Sequence, residues 1–375
     1  MKIDAAVLDH HGIAAPYAAT RPLRLATLDL AAPRPGELLL RIDAAGVCHS
    51  DLSVVNGDRV RPVPMALGHE AAATVLATGS AHSEFAVGDR IVLSFLPACG
   101  RCERCVAGEG YLCAVATAAN GKGVMMGGGH RLSEGDTPVF HHLGVSAFAT
   151  HAVVDERSAV RIDGDIPPEI AALFGCAVLT GVGAVVNAAK VRPGESVAIY
   201  GLGGVGLAAL LGAVASGAEP IVAFDPVAAK VDLARDLGAI AAHPRDAKAT
   251  IDRVAPGGVD VAIETVGKAS VLADAYAATR RGGRTVTVGL PNPAEMLMIP
   301  AISLVGDGKT IMGSYMGHAI PRRDIPRYIA LWRAGRLPVE RLLTATRPLA
   351  QINAALDDLA AGIAVRQVMI PEPKA

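Results

Sequence analysis

In the first half of the chain the apolar positions come in short runs separated by glycine and proline. Residues 37–47, 71–79 and 89–95 each have strand-like apolar content between such punctuation. A loop-rich, cysteine-dense patch follows at 98–113, then a glycine-rich segment at 120–129, and strand character resumes at 147–162. This pattern predicts a β-rich, barrel-like domain carrying insertions. Near Pro167 the pattern changes. Residues 170–190 suit a helix, after which short apolar runs at 197–200, 221–224, 240–242, 259–264, 284–289 and 310–313 predict strands. Helical stretches at 204–216, 227–237 and 270–279 lie between several of them, which predicts a parallel, doubly wound sheet of six strands. Beyond residue 315 the pattern gives helices near 324–334 and 349–361 and a closing strand at 365–370, with no internal repeat and no low-complexity tail.

At 375 residues the chain is too long for one ordinary core and suits two domains. Apolar residues make up 51%, which excludes general disorder, while aromatics are only 3%, so small side chains must do most of the packing. A net charge of −1 without a long basic run argues against a nucleic-acid partner. The opening residues, MKIDAAVLDHHG, carry acids and histidines where a signal peptide needs an apolar core, which predicts a cytoplasmic protein. Residues 196–218 contain no charge and are long enough to raise a membrane span. Six glycines interrupt them, however, and a buried strand–turn–helix explains them better, so no membrane association is expected.

The chain has six cysteines: Cys48, Cys99, Cys102, Cys105, Cys113 and Cys176. Without a secretory signal, disulfides explain them poorly. Four lie in the spacing Cys99-x2-Cys102-x2-Cys105-x7-Cys113. Four thiolates in one loop can close a tetrahedron around a structural zinc, and the metal would pin a loop with too few apolar contacts to fold alone. Tight Cys-x2-Cys-x2-Cys runs also hold iron–sulfur clusters, but those usually continue with a three-residue gap and a proline. Here the last gap is seven residues and Ala114 follows Cys113, which favours zinc. Cys48 and Cys176 would each, alone, read as buried structural thiols. Cys48, though, sits in Gly46-Val47-Cys48-His49-Ser50-Asp51, and Gly68-His69-Glu70 follows twenty-one residues later. Two cysteines and one histidine form a three-ligand set that leaves a fourth zinc position for substrate.

Gly201-Leu202-Gly203-Gly204-Val205-Gly206 joins the strand at 197–200 to the helix after it. Alone, such a run reads equally well as a tight packing turn; its strand–turn–helix context points to a dinucleotide. The first glycine permits the sharp turn, the second lets backbone approach a pyrophosphate, and the third lets helix and strand pack closely. The helix N-terminus then offers N–H groups to the phosphates. Asp225 lies nineteen residues past Gly206, at the end of the next strand. An acid there accepts hydrogen bonds from the ribose hydroxyls and repels a 2′-phosphate, so NAD is expected over NADP. A solvated strand-end aspartate is the plainer alternative.

Together these residues resemble the zinc-containing medium-chain alcohol dehydrogenases over essentially the whole chain. The shared pattern is Gly68-His69-Glu70, the four-cysteine loop, and the glycine-rich turn with its downstream acid. Alcohol dehydrogenase is itself the standing example of the two-cysteine, one-histidine set. The resemblance implies an α/β fold: a β-rich, GroES-like barrel catalytic domain at 1–177, to which 316–375 return, and a Rossmann doubly wound, six-stranded NAD-binding domain at 178–315. It implies two zinc ions per chain and NAD, with catalytic zinc on Cys48, His69 and Cys176 and Glu70 as a nearby carboxylate. Asp51 matches the acid that orients the histidine ligand, and Ser50 the hydroxyl that hands on the alcohol proton. Thr180 and Val205 match residues packing behind the nicotinamide ring; Lys230 and Arg366 match cationic contacts to the cofactor, near the adenosine ribose and the pyrophosphate.

Two positions depart from the family pattern. His49 stands where many members carry an arginine, and its contact with the pyrophosphate would carry a pH-dependent charge. Ser53 stands where a histidine often ends the proton relay, so His49 or water would take that last step. Around the substrate the resemblance places Ser50, Arg59, Phe95 and Leu290. Phe95 and Leu290 imply an apolar slot for a primary or benzylic alcohol, while Arg59 either meets an anionic substrate or points to solvent. The expected activity is reversible hydride transfer between an alcohol and NAD. S-(hydroxymethyl)glutathione is the alternative substrate, although 114–129 contain no clearly placed arginine for its carboxylates. A redox-inactive nucleotide-binding or sensor protein is the reading from another class, and the intact three-ligand set argues against it. The long segment after the cysteine loop implies a homodimer.

Overall fold

The computed structural model describes residues 1–372. The chain forms two units. Met1–Cys176, Ile320–Pro326 and the closing segment from Leu343 make the first; Ala177–Ala319 and Arg327–Leu342 make the second. The return to the first unit is therefore interrupted, where a continuous return over 316–375 was expected. Leu337, Val339 and Leu342 are buried, and the turn Val339–Leu342 packs on the helix Gly204–Ala215 of the second unit.

In the first unit, strands Lys2–Leu8, Leu23–Leu30, Leu132–Glu134, Thr137–His141 and Met65–Ala66 close a barrel. A second sheet runs in the order Ala159–Ile162, Arg90–Leu93, Ala71–Thr78, Glu37–Val47, Arg366–Ile370, Leu343–Pro348, with His151–Asp155 also paired to Glu37–Val47. The alternation of Glu37–Val47 explains its seat: Leu38, Leu40 and Ile42 are buried while Arg41 is exposed. Ala71–Thr78 pairs antiparallel with it, Ala45 opposite Ala71, and the Gly46 N–H donates to the Glu70 carbonyl at 3.0 Å. This register brings Cys48, just past the end of one strand, to Glu70, just before the start of the next.

Residues 170–190 do not form one helix. They divide into Pro168–Leu173, Ala177–Gly183 and a π-helical turn, Ala184–Ala189. Gly175, in the gap between the first two, has no room for a side chain, which would overlap the Leu93 carbonyl and press on Glu70. Residues 147–162 likewise form two strands, separated by the turn Glu156–Ser158 that the Asp155 carboxylate caps by accepting from the Arg157 N–H at 3.0 Å. The helix Ala114–Lys122 follows the cysteine patch without having been expected.

The second unit contains the expected six-stranded sheet. Its order is Ile240–Ala242, Ile221–Phe224, Val197–Tyr200, Val259–Glu264, Thr279–Thr287, Thr310–Gly313, and every neighbouring pair is parallel. Counted by position in the chain, this is the 3-2-1-4-5-6 arrangement of doubly wound folds. The order reverses between Val197–Tyr200 and Val259–Glu264, whose carboxyl ends define the crevice where such folds bind ligands. Among the described residues, no helix is long and apolar enough to cross a membrane.

Candidate functional site

Cys48, His69 and Cys176 converge at one end of the second sheet of the first unit, and all three are buried. Their ligating atoms lie within 4.8 Å of one another. Cys48 caps the helix His49–Val55, whose first turn carries Ser50 and Asp51, and the Cys48 N–H donates to Oδ2 of Asp51 at 3.1 Å. Oδ1 of the same carboxylate lies 3.0 Å from Nδ1 of His69 and accepts the Gly68 N–H at 3.2 Å. Asp51 thus ties two ligand-bearing segments together and assigns the Nδ1 hydrogen of His69. Nε2 of His69 is then turned to the sulfurs, buried and without a hydrogen-bond partner.

The electrostatics agree with a cation site. A hydrogen bond from Cys176, with help from His69, holds the Cys48 thiol well below its ordinary value despite burial. Burial works against charge on His69 as well, but Asp51 and Cys48 outweigh it and raise the imidazole to about 10. Asp51 overcomes its own burial through His69 and His142 and stays well below the usual carboxylate range. Surroundings that favour an anionic sulfur beside a positively charged ring also favour a divalent cation among these three side chains. With nitrogen and thiolate donors, one orphaned buried nitrogen and an oriented imidazole, the residues present fit zinc.

The surrounding residues fall as follows. Glu70 and Arg366 are buried and form an ion pair, so Arg366, expected at a pyrophosphate, has Glu70 as its immediate partner. Ser50 Oγ lies 3.9 Å from Sγ of Cys48. The Ser53 hydroxyl donates to the His49 carbonyl at 2.8 Å, which commits its proton to the helix backbone. The His49 side chain is exposed and Arg59 half-buried. Phe95 sets its ring edge-on against His69, with centroids 5.7 Å apart. Leu290 lies in the second unit and is exposed. Sequence reasoning missed His142, whose Nδ1 is 3.1 Å from Oδ1 of Asp51; no local motif marks it.

The second cluster is the four-cysteine loop. Sγ of Cys99 and of Cys105 are 3.9 Å apart, as are those of Cys102 and Cys113, and none of the six cysteines is in a disulfide. A zinc–sulfur bond of about 2.3 Å gives a tetrahedral edge of roughly 3.8 Å, which these separations match. The N–H of Arg101 lowers the Cys99 thiol to about 6, and burial with neighbouring thiols pushes Cys105 up to about 12. Four thiols so close cannot all ionise without a cation among them.

In the second unit, Gly201 has φ 91°, and a side chain at Gly206 would overlap the Gly201 carbonyl. Gly203 precedes the helix Gly204–Ala215, which places Gly204, Val205 and Gly206 in its first turn. Gly181, next to Thr180, packs against the Val205 backbone. Asp225 is buried, and its carboxylate accepts N–H groups from Leu202 at 2.8 Å and Val227 at 2.9 Å. Lys230 lies in the helix Ala228–Asp236 that follows.

Comparison with known proteins agrees with this geometry. Residues 34–164 match the alcohol dehydrogenase GroES-like domain and residues 204–333 the zinc-binding dehydrogenase family. The chain is 39% identical over 357 residues to geraniol dehydrogenase of Castellaniella defragrans, covering 93% of this chain and 94% of that one. It is 35% identical over 356 residues to S-(hydroxymethyl)glutathione dehydrogenase of a Synechocystis strain, covering 93% and 96%. The crystal structure of benzyl alcohol dehydrogenase from Acinetobacter calcoaceticus superposes with a TM-score of 0.92 at 32% identity, covering 99% of this chain and 100% of that one.

Proposed function

Because the chain belongs to the zinc-containing medium-chain alcohol dehydrogenases, we propose that this zinc- and nicotinamide-dependent oxidoreductase converts primary or benzylic alcohols to aldehydes with NAD, reversibly. The observation that carries the reading is the buried Cys48–His69–Cys176 cluster with its unpartnered His69 Nε2. It supports chemistry over a redox-inactive sensor, which has no use for an open three-donor site.

Cys48, His69 and Cys176 would hold one zinc, and Cys99, Cys102, Cys105 and Cys113 a second. When bound, the first would supply Lewis acidity that makes the alcohol oxygen easier to deprotonate, and the nicotinamide would supply a hydride acceptor. Ser50 Oγ takes the hydroxyl proton and passes it outward. With the Ser53 hydroxyl committed to the His49 carbonyl, the outward path runs through the His49 ring or water. Asp51 holds His69 in one tautomer, and Glu70 with Arg366 fixes charge beside the cluster. Gly201, Gly203, Gly204 and Gly206 bring backbone to the pyrophosphate, Thr180 and Val205 back the nicotinamide, and Asp225 with Lys230 takes the adenosine ribose, which supports NAD over NADP. Phe95 supports an apolar slot, and the names of the geraniol and benzyl alcohol relatives point the same way.

S-(hydroxymethyl)glutathione is the second reading, favoured by the Synechocystis relative. Residues 114–129 contain no arginine and only one cation, Lys122, which weighs against a substrate with two carboxylates. A homodimer is supported by the outer strand Thr310–Gly313 and the exposed Met296, Met298, Ile302 and Val305 preceding it. Six cysteines without a disulfide suit the cytoplasm.

The test is NADH formation with benzyl alcohol, hexanol, geraniol and formaldehyde plus glutathione, with NAD and NADP compared and zinc counted. Turnover of free alcohols with NAD and two zinc ions per chain is the expected result. Turnover only with formaldehyde and glutathione moves the substrate to the second reading, and no turnover despite two zinc ions overturns both.

A further inference from the structure

The Asp51 carboxylate serves two imidazoles. Oδ1 is 3.0 Å from Nδ1 of His69 and 3.1 Å from Nδ1 of His142, and the three side chains are buried. The two rings stand edge to face, at 85° with centroids 5.4 Å apart. The Cys48 N–H already ties Oδ2 at 3.1 Å, so the freedom left to the carboxylate lies at Oδ1, where His142 closes in on the same oxygen that orients His69. The backbone around His142 is built for the placement. Its N–H donates to Oγ of Ser146 at 3.0 Å, and that hydroxyl donates to the Ala66 carbonyl at 2.8 Å. Leu143 and Ser146 take φ values of 52° and 53°, in the left-handed region that side chains rarely adopt. Such conformations persist where the surroundings impose them, and they concentrate at working sites.

We propose that His142 is a positioning residue for the three-ligand metal site, fixing through Asp51 the direction in which His69 presents Nε2. The inference rests on the reading of Cys48, His69 and Cys176 as metal ligands. The contact that the proposal uses is made through Nδ1, while the rest of the ring packs edge-on against His69. Partners one step removed from a metal ligand typically change its affinity 10–100-fold; His142 stands one step further out, behind Asp51, so about tenfold is the effect to expect of it.

The test measures zinc affinity of the full-length protein by competition with a chromophoric chelator, with the four-cysteine site as internal control. His142→Phe, which keeps ring volume and loses Nδ1, should weaken the three-ligand site by about tenfold and leave the control unchanged. His142→Asn places an amide nitrogen at the Nδ1 position and should restore most of the affinity. His142→Gln places it one bond too far and should not, which keeps the test decisive if the phenylalanine variant fails to fold. Equal affinities for the asparagine and glutamine variants, or a phenylalanine variant within about twofold of the parent, overturn the proposal alone. A parent chain that holds metal only on the four cysteines overturns the site reading and this proposal with it.

Discussion

Arg366 and Glu70 form a buried ion pair, 3% and 0% exposed, between the last strand of the chain and the residue after His69. The pairing follows from strand register. Gln367 lies opposite Val47 and Ala71 opposite Ala45, so the residues just outside each pairing meet beside Cys48. A buried pair contributes little net stability, but removing one partner strands the other charge, at about 3–5 kcal/mol. Glu70→Gln should therefore lower the unfolding midpoint markedly. The double change Glu70→Leu with Arg366→Met should recover much of the loss, because no charge is left behind. Additive losses in the double variant would show that the pair is not the cause.

The four-cysteine loop predicts a site-selective metal loss. Between Cys99 and Cys113 the regular structure is one short helix, Glu103–Val106, and a single turn, Gly110–Leu112, neither with a buried residue. Such a loop has little besides metal to hold it. Cys105→Ser should bind one zinc fewer per chain and become open to proteolysis between residues 98 and 113, while the Cys48–His69–Cys176 site keeps its metal. Retention of two zinc ions would refute the assignment.

What could be read in advance, and what could not, has a physical pattern. Val197–Tyr200 and Ile221–Phe224 are central strands of a parallel sheet and buried throughout, so they read as unbroken apolar runs with sharp ends. The cysteine spacing and the glycine turn are local, and chemistry dictates their intervals. The barrel strands were harder. Met65–Ala66 is two residues long, and Lys2–Leu8 is a strand because Leu23–Leu30 pairs with it, a relationship no window along the chain contains. His142 was invisible for the same reason: it meets Asp51 only once a strained turn has folded over Ala66. Arg366 could be matched to a family role, but its contact with Glu70 depends on the register of the last strand.

Asp225 predicts coenzyme choice and a structural cost of changing it. Its two oxygens accept N–H groups from the glycine-rich turn at Leu202 and from Val227, so it braces the turn proposed to hold the coenzyme. Asp225→Ser should raise the NADP-to-NAD ratio of kcat/KM by at least about tenfold, equivalent to about 1.4 kcal/mol. It should also weaken NAD binding more than a surface acid would. An unchanged ratio would remove Asp225 from the discrimination.

His141 gives a pH dependence whose sign is fixed by its surroundings. Burial, with the charges of His130 and Arg131 nearby, pushes its imidazole down to about 3. Nε2 accepts the Arg131 N–H at 2.9 Å, a bond that protonation would abolish, while Arg131 itself pairs with Glu37. An unfolded chain titrates this group near 6.5, so between about pH 6.5 and 3 the unfolded state binds a proton that the folded state refuses. Stability from the neutral ring is therefore complete above pH 6.5 and falls on acidification, by up to about 1.4 kcal/mol per pH unit for one proton. His141→Gln offers an acceptor that does not titrate near the Nε2 position. Denaturant unfolding of the parent and this variant, compared from pH 7 to pH 4, should show the parent losing stability more steeply. Parallel curves would mean that His141 is already charged in the fold, and that its bond to the Arg131 backbone is not what holds that turn.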